Sequence, residues 1–283
     1  MRIGTTIFLT DETITPVRLA RELEERGFHA LYLPEHTHIP VSRISPHPAG
    51  IPLPREYCRT LDPFSALSAA AAVTTTLRLG TGITLVAQRD PIVLAKQVAT
   101  LDHISGGRFT LGVGFGWNRE EAADHGVDWP KRRESVRDRM AVMHALWTAE
   151  PTGHKGPYAS VEPSLAYPKP ASYPAPHRPF PGPRTLVGGN PGPTLFAHIA
   201  EYADGWLPLG GRGLTRNIPL LREVWEDAGR DPEALEVVPY GVLPSEGKLA
   251  HFHELGVREV VLQLPPGDTG EVLRTLDEFA RYL

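Results

Sequence analysis

The sequence predicts an α/β fold, and within that class a single (β/α)8 TIM-like barrel, on three observations. Eight apolar runs of strand length alternate with eight segments of helical character over 283 residues, in units of roughly 30 residues, as such a barrel requires. A cap residue followed by proline opens the helices after the first three strands: Thr15-Pro16, Asp62-Pro63 and Asp90-Pro91. That pair joins a side-chain acceptor for free helix amides to a φ already set for a helix. Thr10-Asp11-Glu12 follows the first strand, so the G-x-G-x-x-G of an open dinucleotide-binding sheet is missing from its expected place.

In order, the first strand is read over residues 3–8, with a helix running through Arg26 and closed by Gly27. The second strand is 30–33, and a helix over 64–74 follows a long loop. The third strand is 77–85; its helix runs from Pro91 through Leu101, with Ile92, Ala95, Val98 and Ala99 on one face. The fourth strand, 109–113, enters the turn Gly114-Phe115-Gly116 ahead of a charged helix from about 131 to 147. Strands five to eight fall at 185–188, 205–209, 236–240 and 259–264. Their helices are expected near 193–203, 215–228, 246–255 and 269–282.

Two insertions interrupt this alternation, residues 39–60 after the second strand and the proline-rich stretch at about 151–184 before the fifth. A loop that long in a compact domain is functional or inserted. Both are expected to cover the mouth, with Pro46, Pro48, Pro52, Pro54, Tyr57, Tyr158, Tyr167 and Tyr173 as a partly apolar lid. The alternative is packing on the barrel or in a dimer contact. The whole chain, 1–283, is read as one domain.

With 29 Lys and Arg against 33 Asp and Glu, the net charge is −4, which argues against a nucleic-acid partner. Cys58 is the only cysteine, so neither an intrachain disulfide nor a thiolate metal cluster can form. No run approaches the ~20 apolar residues of a membrane span, and the short N-terminal run is not read as a signal peptide. A cytoplasmic protein without membrane contact is expected.

Barrel chemistry lies at the C-terminal ends of the strands. There the second junction reads Pro34-Glu35-His36-Thr37-His38. Its imidazoles are polar loop residues, groups that stabilise an anionic cofactor or substrate, or a His-x-His metal pair. Glycine, asparagine and proline at later strand ends argue against the metal. At the third junction Gly80 and Gly82 straddle the strand end around Thr81, ahead of Ile83. At the fourth, Gly114, Gly116, Trp117 and Asn118 remove side chains and then supply an aromatic and an amide, a lining suited to a flat ring system. Gly188, Gly189 and Asn190 at the fifth, with Leu209, Gly210 and Arg212 at the sixth, offer backbone N–H groups, a helix start and one guanidinium to a phosphate.

Several runs then carry a resemblance: Pro34-Glu35-His36-Thr37-His38-Ile39-Pro40, Arg78-Leu79-Gly80-Thr81-Gly82-Ile83, Leu101-Asp102-His103-Ile104-Ser105-Gly106-Gly107-Arg108-Phe109, Gly112-Val113-Gly114-Phe115-Gly116-Trp117-Asn118 and Gly205-Trp206. Together they strongly resemble the luciferase-like monooxygenase superfamily, and more narrowly its coenzyme F420-dependent oxidoreductases. The resemblance implies a homodimeric barrel enzyme with a deazaflavin at its mouth, backed by a non-prolyl cis peptide that falls by position at Gly82–Ile83. It implies catalytic roles for His36 and Glu35, with Glu35 touching the ring's polar edge or orienting His36. Cofactor contacts would come from Thr81, Gly82, Ile83, Gly114, Gly116, Trp117 and Asn118 around the ring. The phosphate would be received by Gly188, Gly189, Asn190, Leu209, Gly210 and Arg212. Trp117 stands where the sugar-phosphate dehydrogenase branch has a glutamate, so that branch's substrate does not carry over. The expected function is hydride transfer between F420 and a small organic substrate. An FMN-dependent monooxygenase is the alternative, and a carrier without a cofactor is the third reading.

Overall fold

The computed structural model describes residues 1–173 and 179–283. The chain opens with β1 (Arg2–Thr6), α1 (Pro16–Glu25), β2 (Ala30–Leu33) and α2 (Pro63–Ala71). Next come β3 (Arg78–Thr81), β4 (Thr84–Leu85), α3 (Pro91–Ile104), β5 (Phe109–Gly114), the short α4 (Arg119–Asp124) and α5 (Arg132–Trp147). A hairpin of β6 (His154–Lys155) and β7 (Ser160–Val161) precedes β8 (Arg184–Gly188), α6 (Pro193–Tyr202), β9 (Gly205–Leu207) and α7 (Leu214–Asp227). The chain finishes with β10 (Glu236–Val237), β11 (Tyr240–Val242), α8 (Glu246–Glu254), β12 (Glu259–Gln263) and α9 (Thr269–Ala280).

The main sheet runs β10-β9-β8-β5-β3-β2-β1-β12-β11, with β4 also on β5, and its pairings are parallel. β10 and β11 are successive pieces of one segment, residues 236–242. That segment pairs with β9 on one side and β12 on the other. The amides of Val238 and Tyr240 donate to Trp206 and Pro208, and Val261 donates to Pro239. The sheet is therefore curled, consistent with a TIM-like barrel. The expected punctuation operates locally: Asp62 accepts from the Ser65 amide at 2.8 Å, and Asp90 from those of Ile92 and Val93 at 3.0 and 2.9 Å.

Helices cover the outer face of the sheet, giving the large apolar core. A smaller inner cluster joins Ala30, Tyr32, Leu186, Leu207, Val238 and Val261 to Ile83 and Tyr240. Its rings fit because glycine faces them: a Cβ on Gly80 would lie 2.4 Å from the Tyr32 ring, and one on Gly82 only 2.3 Å from that of Tyr240. At the N-terminal strand ends, Arg184 is 7% exposed. It donates to the Tyr32 hydroxyl and Glu236 and lies 3.0 Å from Glu259, a paired set of buried charges. The polar interior is thus sealed at that end, leaving the opposite one for chemistry.

Three expectations need correction. The third strand is not continuous over 77–85; it breaks into β3 and β4 at a cis peptide between Gly82 and Ile83. Ile92 is 48% exposed, outside the buried face formed by Ala95, Val98 and Ala99. The described part of 151–184 lies on α3 and α5 rather than over the mouth. Asp138 of α5 accepts from His154 and from the amides of Tyr158 and Ala159. Lys169 donates to the Leu146 carbonyl, Lys96 to that of Tyr167, and Ser172 to Asp102 of α3. Tyr158, Tyr167 and Tyr173 thus belong to a strap packed on the outer helices, the alternative that the sequence left open. Residues 174–178 of that stretch fall outside the described residues.

Candidate active site

β2 delivers Glu35 and His36 to the mouth, and their side chains go separate ways. Glu35 is turned into the protein, its side chain 1% exposed. One oxygen accepts from the Leu85 amide at 2.7 Å and the other from Arg89 Nε at 2.6 Å. Burial pushes the Glu35 carboxyl above the usual range, against the opposing pull of Arg89 and the amide. Arg89 also reaches Asp62, the cap of α2. Glu35 therefore ties β2 to β4 and fixes the broken third strand.

The break has its own internal supports. Gly80 pairs with Thr110 and Thr84 with Val113, so β3–β4 carries one residue more than β5 between those pairs, a bulge. The Thr81 hydroxyl fills the gap in the ladder, donating to Gly112 O at 3.0 Å and accepting from Gly112 N at 2.9 Å and from Thr84. The Ile83 side chain leans across the mouth onto two glycines. A Cβ on Gly114 would fall 2.3 Å from it, and one on Gly188 2.8 Å. Thr81, Gly114 and Gly188 thus support Ile83 and the bulge.

His36 is held by a residue the sequence reading did not single out. Its Nδ1 lies 2.9 Å from Glu121 Oε2, with side chains 7% and 1% exposed. The second oxygen of Glu121 accepts from the Thr37 amide at 3.2 Å. A carboxylate can only accept, so Nδ1 carries a hydrogen and Nε2 is the nitrogen left for a ligand. The orienting carboxylate is Glu121, and Glu35, for which that role was an option, is bonded elsewhere. Asn118 caps α4, its side-chain oxygen taking the amides of Glu120 and Glu121. That places Glu121 against His36 and commits the Asn118 oxygen to the helix. Gly116 turns the chain at φ +73° just before.

Aromatic rings wall the site. Trp117 meets His36 edge-on at 5.8 Å between centroids, and Tyr57 of the 39–60 insertion lies 5.3 Å from His36 and 6.2 Å from Trp117. Glu120, beside Glu121 on α4, accepts from the amides of Ile44 and Ser45 and from the Ser45 hydroxyl, which pull its carboxyl down to about 2. The first insertion is thereby pinned over the mouth. His38 pairs with Asp124 at 3.0 Å.

The glycine-rich junctions lie across the mouth. The N-termini of α6 and α7 start at Gly192 and Gly213 without a side-chain cap, as α5 does at Lys131, whereas Thr15, Asp62, Asp90, Asn118, Ser245 and Asp268 cap α1, α2, α3, α4, α8 and α9. Gly189 and Asn190 are exposed beside α6, and a Cβ on Gly192 or Gly210 would meet nothing within 4 Å. Uncapped amides in open space suit an anion. Gly210 N–H is already bonded to Tyr240 O, Leu209 is 75% exposed, and Arg212 is exposed. A phosphorylated flat cofactor fits this donor set and the apolar wall opposite.

Comparison with known proteins agrees with this architecture. An uncharacterised protein of Mycobacterium tuberculosis is 42% identical over 288 aligned residues, spanning 100% of this chain and 96% of its own. The crystal structure of monooxygenase RslO1 from Streptomyces bottropensis superposes with a TM-score of 0.77 at 21% identity, covering 100% of this chain and 98% of that one. An F420-dependent secondary alcohol dehydrogenase in complex with an F420-acetone adduct gives the same TM-score at 18% identity and the same coverage. At these identities the two structures share the fold with this chain. Residues 13–245 match the luciferase-like monooxygenase family, and the chain belongs to that family.

Proposed function

We propose that the chain is an F420-dependent oxidoreductase, a single (β/α)8 domain over 1–283 that moves a hydride between the deazaflavin and a small organic substrate. The observation that carries this reading is the buried Glu121–His36 pair beside the bulge at Gly82–Ile83. A carboxylate-held imidazole with one free nitrogen is a general acid or base, and here it stands at the lip of an otherwise apolar wall. Bound F420 would supply or accept the hydride at a ring carbon. Gly82, Ile83 and Trp117 would line the ring, while Gly189, Asn190 and Arg212 with the start of α6 would receive the phosphate. Thr81, Gly114, Gly116, Asn118 and Gly188 would act by shaping the bulge and α4, and Leu209 and Gly210 would form the rim. His36 Nε2 would take the proton from an alcohol or return it to a carbonyl oxygen. Glu35 would hold the bulge through Leu85 and Arg89. The same reading includes a cytoplasmic homodimer.

Fluorescence titration with F420 and with FMN tests it. F420 is expected to bind and His36→Ala to retain that binding while losing about 10²-fold or more in turnover. Binding of FMN alone, with oxygen uptake on adding reduced FMN and substrate, would replace the reading with a flavin monooxygenase.

A further inference from the structure

The 39–60 insertion contributes a hydroxyl as well as a cover. Tyr57 follows Pro54 in a short helical turn, residues 55–58, and its ring packs 4.5 Å from Phe8, which follows β1. Its oxygen lies 2.9 Å from His47 Nε2. The other nitrogen of that imidazole, Nδ1, accepts from the Ala49 amide at 3.2 Å. An amide can only donate, so Nδ1 is bare and the ring hydrogen sits on Nε2. His47 therefore donates, Tyr57 Oη accepts, and the phenolic hydrogen has no acceptor among the described residues. Burial lowers the imidazole of His47 below its ordinary value and raises the phenol of Tyr57, so both stay neutral at pH 7.

From these contacts we infer that Tyr57 donates its free hydrogen to an oxygen of the substrate, and that His47 is the positioning residue that turns it outward. The inference deepens the oxidoreductase reading and rests on it for the identity of the site. Tyr57 then complements His36 chemically. With its Nδ1 hydrogen turned toward Glu121, His36 acts as an acceptor at Nε2 when it serves as the base, whereas Tyr57 can still donate. A carbonyl oxygen, which only accepts, is recognised by Tyr57. An alcohol satisfies both groups at once, accepting from Tyr57 and donating to His36.

The surroundings limit the rest of the substrate. The arginines flanking Tyr57 face acids: Arg55 pairs with Glu12, and Arg59 with Asp11 and Glu12. Arg43 donates to the carbonyls of Pro40 and Ser42. The rings nearest Tyr57 are Phe8 at 4.5 Å, His47 at 5.2 Å and His36 at 5.3 Å, with Trp117 beyond them at 6.2 Å and edge-on to His47 at 5.8 Å. An uncharged, flat, apolar body bearing one acceptor oxygen matches this lining better than an anionic substrate does.

The test compares acetophenone with α-methylstyrene, which has the same shape and a CH2 group in place of the carbonyl oxygen. Their binding to the full chain is measured by calorimetry alongside F420 fluorescence titration. The wild type should bind the ketone about 10-fold or more tightly than the alkene, since a donor facing an apolar group loses its partner. Tyr57→Phe should erase that ratio, keep the alkene affinity and keep F420 binding. His47→Gln, which preserves an N–H donor, should retain the ratio, and His47→Phe should reduce it. A wild type that does not prefer the ketone, or a Tyr57→Phe protein that still does, overturns the inference. Loss of F420 binding by the wild type would instead defeat the oxidoreductase reading, so the two failures are distinguishable.

Discussion

The two proline-rich insertions look alike in sequence and do opposite things. Residues 39–60 leave β2 at its C-terminal end and stay at the mouth, where Tyr57 and His47 pack against Trp117. The stretch from 151 leaves α5 at its C-terminal end, beside the N-terminal ends of the strands, and returns along α3 to β8. What separates them is which side of a helix they follow. A strand-to-helix loop emerges where the chemistry is, and a helix-to-strand loop emerges at the stabilising end. Composition carries no trace of this difference, but element order does.

The largest effect that would sharpen the contrast is expected at the mouth. Glu121→Ala leaves His36 Nδ1 and the Thr37 amide without their acceptor and should lower kcat on the order of 10²-fold. F420 affinity should be little changed. Steady-state kinetics that show unchanged kcat would separate His36 orientation from turnover.

The strap side should respond in stability rather than rate. His144 is half-buried on α5, stacked 5.7 Å from Phe180 beside Trp147, and its desolvation there lowers its imidazole to about 4. A folded value below the ordinary 6.5 means that the neutral ring's contribution is complete above pH 6.5 and is lost as pH falls toward 4. On that basis His144→Phe should flatten the stability curve across this window by on the order of 3 kcal/mol, read from urea midpoints. An equally steep curve in the variant would assign the acid sensitivity elsewhere, with His29 and His198, both also near 4, the next positions to examine.

The smallest effect is expected at the latch of the first insertion. Glu120→Ala removes the acceptor for Ile44 and Ser45. Limited proteolysis within 39–60 should accelerate several-fold while global stability moves by less than about 1 kcal/mol. Unchanged nicking would mean that the aromatic contacts alone hold the cover.

Legibility followed the range of the interaction. The three cap-and-proline pairs were readable because a cap acts within one helical turn, and the glycine clusters because a missing side chain is visible in the sequence itself. Glu121 was not readable as the partner of His36, since 85 residues separate them. A local sign did exist: Asn118-x-x-Glu121 has the spacing of a capping box and marks the start of α4. The pattern would still have misled about the glutamate, which turns to His36. Gly114 reads from sequence as lining for a flat ring and Gly188 as a donor to a phosphate, yet both leave room for Ile83. Sequence shows that a side chain is missing and leaves open what occupies the space.

Helix α4 is only six residues long, and neighbouring glutamates on it grip different things: Glu120 the cover and Glu121 the imidazole. Any rotation or shift of α4 moves both grips together. For protein engineering the transplantable module is accordingly 39–60 together with α4. A chimera that exchanges the loop alone would inherit a His36 whose alignment was set by a foreign cover.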